Sequence, residues 1–249
     1  MRYALISDLH ANLPAVTAVL ADIRGRHGVD AVHHLGDLVG YAPWPDEVVE
    51  LIAAERIAGV AGNYDSTIAT DYDHCGCRAE TPEQEELAHQ SYQWTRARVS
   101  ASTRSRLAAL PFRMDLRPLG GHTSHPTVTL LHGDHVLNTV YADASRPESF
   151  LRRIGEALRA KPGDAVCVGH THKAWHRVVD EVHYVNTGSV GRPKDGDPRA
   201  GYVVLTVDVT GVDVEFVRVR YDVETAARGI EASSLPHEFA AFLRTGGAM

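Results

Sequence analysis

A layered α/β fold, with strands flanked by helices, is what this chain of 249 residues predicts, and three observations predict it. Short apolar runs alternate with segments of helical period over the first two-thirds. Those runs are each followed within three residues by an acidic residue, a histidine or an asparagine. The composition, 44% hydrophobic and 23% charged, suits a soluble globular protein with enough chain for a sizeable core.

The elements follow in order. Strands are expected at Tyr3 to Ile6, Ala31 to Leu35, Ile57 to Val60, Val128 to Leu131, Ala165 to Val168 and Val182 to Val185. Each is a short run of mostly apolar residues. The first helix carries Leu13, Val16, Val19, Leu20 and Ile23 on one face, with Asn12 as its cap and Pro14 in its first turn. A capping box of Ser145 and Glu148 predicts another helix, with Phe150, Leu151, Ile154 and Leu158 inward. Residues 66–125 break the rhythm. There Thr81-Pro82-Glu83-Gln84 opens a polar helix through about Val99, and a shorter helix follows Ser102 and ends near Pro111. Residues 66–125 therefore read as a small helical cap inserted in a single domain, and 182–222 as its β-rich C-terminal part. Strands at Tyr202 to Val209 and Val212 to Tyr221 join through a turn at Thr210-Gly211. Their alternation changes phase at Phe216-Val217, which predicts a bulge.

Charge and cysteine content exclude several roles. A net charge of −7 argues against a protein built to grip a polyphosphate backbone, and no strong nucleic-acid signature appears. Three cysteines make no disulfide framework, no leader-like segment follows Met1, and no apolar run is long enough to span a membrane. The expected location is the cytoplasm. The 15 histidines are many for this size.

The chemistry is expected where ligands bind in layered α/β folds, past the carboxyl ends of the strands. Asp8 and His10 follow the first strand, Gly36-Asp37 the second and Gly62-Asn63 the third. His132 follows the fourth, and Gly169-His170-Thr171-His172 the fifth. Residues i and i+2 of an extended segment point the same way, so each of the pairs Asp8/His10 and His170/His172 faces one cavity. Imidazoles, carboxylates and one amide suit Zn, Mn or Fe and are too nitrogen-rich for a calcium cage. These seven candidates exceed what one tetrahedral ion needs, which a carboxylate shared between two ions would resolve.

Together, Asp8-Leu9-His10, Gly36-Asp37, Gly62-Asn63-x-Asp65, His132 and Gly169-His170-Thr171-His172 resemble the calcineurin-like metallophosphoesterase superfamily, in its small bacterial phosphodiesterase-type branch. The resemblance implies a four-layer αββα sandwich and a phosphoesterase acting on a small-molecule phosphate ester through two divalent metal ions. Manganese is the expected metal, with iron, zinc or nickel as alternatives. It further implies that Asp8, His10, Asp37 and His172 hold the first ion. Asp37 would bridge, and Asn63, His132 and His170 would complete the second, so Asp37, Asn63 and His132 count as catalytic too. Attack on phosphorus would come from a bridging hydroxide.

Two departures bear on substrate. The third motif reads Asn63-Tyr64-Asp65, with Tyr64 where the family places an acid histidine. A phenol with pKa near ~10 is a poorer acid than an imidazolium near ~6.5. His74 is a weak substitute. The second motif lacks the arginine that clamps phosphate in protein serine/threonine phosphatases. A phosphodiesterase is therefore favoured over a phosphomonoesterase, a dinucleoside-polyphosphate hydrolase or a non-catalytic scaffold of the same fold.

Other features have plainer readings. His33 and His34 lie within a strand, and His74-Cys75-Gly76-Cys77 resembles half a zinc site but has no second half and reads as a plain loop. Asn186 to Gly191 fails the nucleophile-elbow pattern and makes a tight turn, presenting amides or Ser189. Tyr92, Trp94, Arg96 and Arg98 dock a helix rather than line a cleft.

Overall fold

The computed structural model describes all residues except 27, 78–80, 118–125, 210 and 248–249. The expected turn at Thr210-Gly211 and parts of the 66–125 segment thus fall in whole or part outside the described residues.

Two five-stranded mixed sheets form the centre. The first contains β1 (Arg2–Ile6), β2 (Ala31–His34), β3 (Ala58–Gly59), β9 (Ala200–Asp208) and β10 (Gly211–Val219), in the order β10-β9-β1-β2-β3. The second contains β4 (Met114–Leu116), β5 (Val128–Leu130), β6 (Ala165–Val168), β7 (Trp175–Val179) and β8 (Val182–Asn186), in the order β4-β5-β6-β8-β7. In each sheet three adjacent strands are parallel: β1, β2 and β3 in one, β5, β6 and β8 in the other. Parallel pairing brings the following loops to one edge, and that edge carries the site.

The helices are α1 (Leu13–Gly25), α2 (Pro45–Ala54), α3 (Asn63–Ala69), α4 (Pro82–Arg98), α5 (Ala101–Ala108), α6 (Glu148–Leu158), α7 (Val223–Glu231) and α8 (Glu238–Thr245). Three apolar clusters define four layers. Val16, Val19 and Leu20 of α1 and Ile230 of α7 pack on Ile6 and Val204. Tyr3, Leu5 and Leu205 of the first sheet meet Leu130, Cys167 and Val185 of the second. Phe150, Leu151 and Ile154 of α6 cover Val166 and Val168 on the far side. The αββα sandwich is the expected fold. Among the described residues, no helix is long and apolar enough to cross a membrane.

Several local expectations are met for the expected reason. Asn12 caps α1 by accepting from the Ala15 N–H, and Thr81 caps α4 by accepting from Gln84. Others are not. Ser145 does not cap α6; its hydroxyl and N–H both bond Asp143, and Pro147 stands at the cap instead. Aspartate two residues upstream offers Ser145 a tighter local turn than the helix end does. α5 is capped by Ser100 rather than starting after Ser102. No bulge interrupts β10, which pairs residue for residue with β9 from Gly211↔Asp208 to Val219↔Ala200. What changes is the cover. Val212 and Val214 face the second sheet, whereas Val217 and Val219, on the opposite face, meet the helices. Elements the sequence reading left out are α3, β4, β7, α7 and α8; β4 lies within 66–125 and extends the second sheet.

Candidate metal centre

All seven candidate residues converge at the strand-end edge, and none is more than 4% exposed. Backbone bonds between loops hold them there. Asp8 N–H donates to Gly36, His10 N–H to Asp37 and Gly169 N–H to His132, at 2.9 to 3.0 Å. The loops approach so closely that a Cβ on Gly36 (φ +92°) would lie 2.2 Å from Gly62 N. Asp8, His10, Asp37, His170 and His172 all hold positive φ, between 45° and 66°. Such backbone is strained for non-glycine residues, and strain of this kind gathers at functional sites.

The side chains form two triads. Asp8, His10 and His172 make one; Asp37, His132 and His170 make the other, with ligating atoms within 4.8 Å of each other in each. Between them, Asp37 Oδ2 lies 3.7 Å from His10 Nε2 and 3.4 Å from His132 Nε2. Asn63 Oδ1 is 3.1 Å from His132 Nε2.

Carbonyl groups orient the rings. His10 Nδ1 faces Val39 O at 3.1 Å, His132 Nδ1 faces Leu35 O at 2.6 Å, and His172 Nδ1 faces Arg192 O at 2.6 Å. A carbonyl beside Nδ1 favours the proton there, which leaves His10 and His172 to present an Nε2 lone pair inward, while Nε2 of His132 faces the Asp37 carboxylate. His170 is turned the other way, with Nε2 on Thr139 O at 3.2 Å and Nδ1 left for the site.

The electrostatics fit a cation. Asp8 Oδ2 accepts from Ser7 Oγ and His170 N–H, but Asp8 Oδ1 is buried with no hydrogen-bond partner, 3.2 Å from His172 Nε2. The Nε2 atoms of His10 and His172 stand 3.1 Å apart, two lone pairs aimed at one point. Burial pushes His10 down to about 3, His170 to about 4, and His172 well below its ordinary value, so all three are neutral imidazoles. Burial opposes the charges of Asp37 and His132 as well, yet their mutual attraction wins. It holds the Asp37 carboxyl well below its usual range and raises His132 to about 9. An orphaned carboxylate oxygen beside converging imidazole nitrogens is the donor set of a divalent ion.

The chain's sequence decides the family. Residues 1–210 match the model of the calcineurin-like phosphoesterase superfamily domain. The chain belongs to that superfamily. It is also similar to the uncharacterized protein MJ0912 of Methanocaldococcus jannaschii, at 28% identity over 94% of this chain and 93% of that protein. Among solved structures it is similar to a metallophosphoesterase from Sphaerobacter thermophilus, with 29% identity, a TM-score of 0.76, and coverage of 99% of this chain and 100% of that one. The hypothetical protein PH1004 from Pyrococcus horikoshii shares the fold at 22% identity and a TM-score of 0.82, covering 100% of this chain and 99% of its own. The calcineurin-like phosphoesterases use divalent metal ions, and the two triads are this member's candidate ligand groups.

Within this superfamily fold, Tyr64 lies behind the His10 ring at the edge of the cleft. It is 1% exposed, packed 5.6 Å from the His10 ring and against Gly40, and burial pushes its phenol well above the ordinary value. His74 is exposed, meets the Tyr72 ring edge to face, accepts from Gly76 N–H and does not line the cleft. His33 and His34 stay in β2; His34 is buried, and burial with the nearby charge of His132 pushes it down to about 3. The Cys75-Gly76-Cys77 segment, read as a plain loop, is closed by a disulfide. It supports Asn63, whose Nδ2 donates to Cys75 O at 2.9 Å. Ser189 is not offered to a substrate either. It is buried and bonds Asp8 O and Arg192 N–H, so the turn at 186–191 acts as a buckle on the first loop. Trp94 bonds Ser234 and Arg96 pairs with Asp71, as docking side chains do.

Two contributors escaped the sequence reading. Asp65 lay in a quoted motif without a role; it accepts N–H bonds from Asp37, Leu38 and Gly62, tying the second and third loops together. Arg192 follows the buckle and lines the cleft, with no motif to mark it. That cleft, of about 590 Å³, opens over His10, Asp37, Asn63 and His172 and is walled by Leu87 of α4 and Phe242 of α8.

Proposed function

We propose that this chain is a metal-dependent phosphodiesterase with a dinuclear centre. The position of Asp37 carries the reading. One carboxylate oxygen lies within 3.7 Å of an imidazole nitrogen from each triad, which is the arrangement a bridging ligand requires. Asp8, His10 and His172 would hold one ion with Asp37, and Asn63, His132 and His170 the other. Two divalent cations, when bound, supply an acidified water and a clamp for the charge on phosphorus and the departing oxygen.

The chain's own groups do the rest. Carbonyls of Leu35, Val39 and Arg192 hold the imidazoles at fixed angles. Asp65 keeps the Asp37 and Asn63 loops in register. No side chain at the Tyr64 position protonates the leaving group, so substrates with good leaving groups are favoured. The second motif, Gly36-Asp37-Leu38-Val39-Gly40, brings no arginine for a dianionic monoester. A cleft of about 590 Å³ has room for substituents on both sides of a phosphorus atom. Helix α4, within the segment 66–125, acts as a cap that shapes substrate choice.

The test is hydrolysis of bis-p-nitrophenyl phosphate and p-nitrophenyl phosphate, in manganese and after EDTA. The diester is expected to turn over faster, with activity lost in EDTA and restored by manganese. Iron, zinc and nickel are compared in the same assay. Undiminished activity in chelator would overturn the reading.

A further inference from the structure

Arg192 is 8% exposed and sits in the wall of the cleft. Its guanidinium carbon lies 4.1 Å over the Tyr41 ring, 3.9 Å over Phe242 and 5.5 Å over Phe239. Its Nε is buried without a hydrogen-bond partner, and among the described residues no carboxylate pairs with it. Several surface arginines behave differently. Arg96, Arg152 and Arg244 each face an aspartate or glutamate at the surface. Aromatic faces stabilise a cation through its plane and leave the in-plane N–H edge unused. That edge matches the oxygens of a phosphate, which it binds in two-point fashion.

The placement is rigid. Val190 N–H bonds Ser7 O, Gly191 N–H bonds Asp8 O, and Asn12 Nδ2 holds Gly191 O. Arg192's own carbonyl orients His172. The Tyr41 ring, 4.9 Å from the His10 ring, separates the guanidinium from that ligand by about the width of one side chain. An anion on Arg192 is thus set beside the metal ligands rather than among them.

We propose that Arg192 anchors a second, non-scissile phosphate of the substrate, so that the preferred substrate is a phosphodiester bearing a terminal phosphate. The inference rests on the phosphodiesterase reading of the same cleft. An arginine absent from the second motif is in this way replaced from a different loop, for a different phosphate.

Pyrophosphate titrated calorimetrically into the protein in EDTA tests the anchor without the metals. Wild type is expected to bind at least about tenfold more tightly than R192Q, with R192K between them. Equal affinities overturn the anchor. Melting curves separate a structural role: R192Q should melt no lower than wild type, because it removes an unpaired buried charge. A lower melting point with unchanged pyrophosphate affinity overturns the proposal. With metal restored, R192Q should lose about tenfold of the preference for a p-nitrophenyl diester carrying a terminal phosphate over bis-p-nitrophenyl phosphate. Equal loss on both substrates moves Arg192 to the scissile phosphate and overturns the second-phosphate assignment. Arginine-dependent pyrophosphate binding in a protein that hydrolyses neither diester would leave the anchor standing and remove the phosphodiesterase reading instead.

Discussion

The floor of the cleft and its wall are built on different principles. The floor consists of loops that leave parallel strands, bonded to one another through the backbone, with imidazoles locked by carbonyls. Five of its seven candidate ligands keep strained positive-φ conformations because neighbouring loops over-determine them. The wall is assembled from parts far apart in the chain: Leu87 on α4, Arg192 after β8 and Phe242 on α8. Its members touch through side chains, as Arg192 does with Phe242. Chemistry that needs fixed geometry belongs on the first kind of structure. Selectivity tolerates the second. Changes in the floor are therefore expected to fall on kcat and changes in the wall on KM.

Asp37→Asn strikes the floor hardest. It removes the charge shared by both triads, and kcat/KM for the diester should fall by about a thousandfold or more. Elemental analysis should find fewer than two metals per chain. A variant that keeps both metals and most of its activity would contradict the bridging role.

Leu87→Ala probes the wall through α4. It should raise KM for the diester about fivefold with a smaller change in kcat, since it removes contact common to ground and transition states. A fall in kcat with KM unchanged would break the division between floor and wall, and would place the helix against the reacting groups.

Tyr64→Phe separates the two regions most finely, because Tyr64 lies behind His10 and also lines the cleft. A true general acid contributes about a hundredfold or more, whereas a buried phenol pushed above its ordinary pKa is a poor proton donor. The expected change in kcat/KM is less than about twofold. Wild type should accordingly prefer p-nitrophenyl to alkyl leaving groups, and equal rates on both would show that an acid operates in the cleft.

Much of the floor was legible in the residues. Asp8 and His10, or His170 and His172, stand just beyond an apolar run, and that strand-end position survives folding because it is local. The extended backbone expected of them does not, since all four hold positive φ and His170 joins a different triad from His172. The helix face of α1 and its Asn12 cap were legible because they too are local. Where a competing partner was near, local reading failed. Ser145 had Asp143 two residues away and took it in preference to the α6 cap. The phase change in β10 reflected which neighbour covers each face, a fact no strand carries within itself.

The sequence by itself determined the layered fold class, the seven convergent residues and the missing histidine beside Asn63. Strand period, strand-end position and side-chain chemistry are properties of short segments. Only the tertiary structure decided that Asp37 stands between the triads, that Asn63 rests on Cys75, and that Arg192 reaches the cleft unpaired. Those depend on distances between loops tens of residues apart, and only the packing of the two sheets and their helices sets such distances.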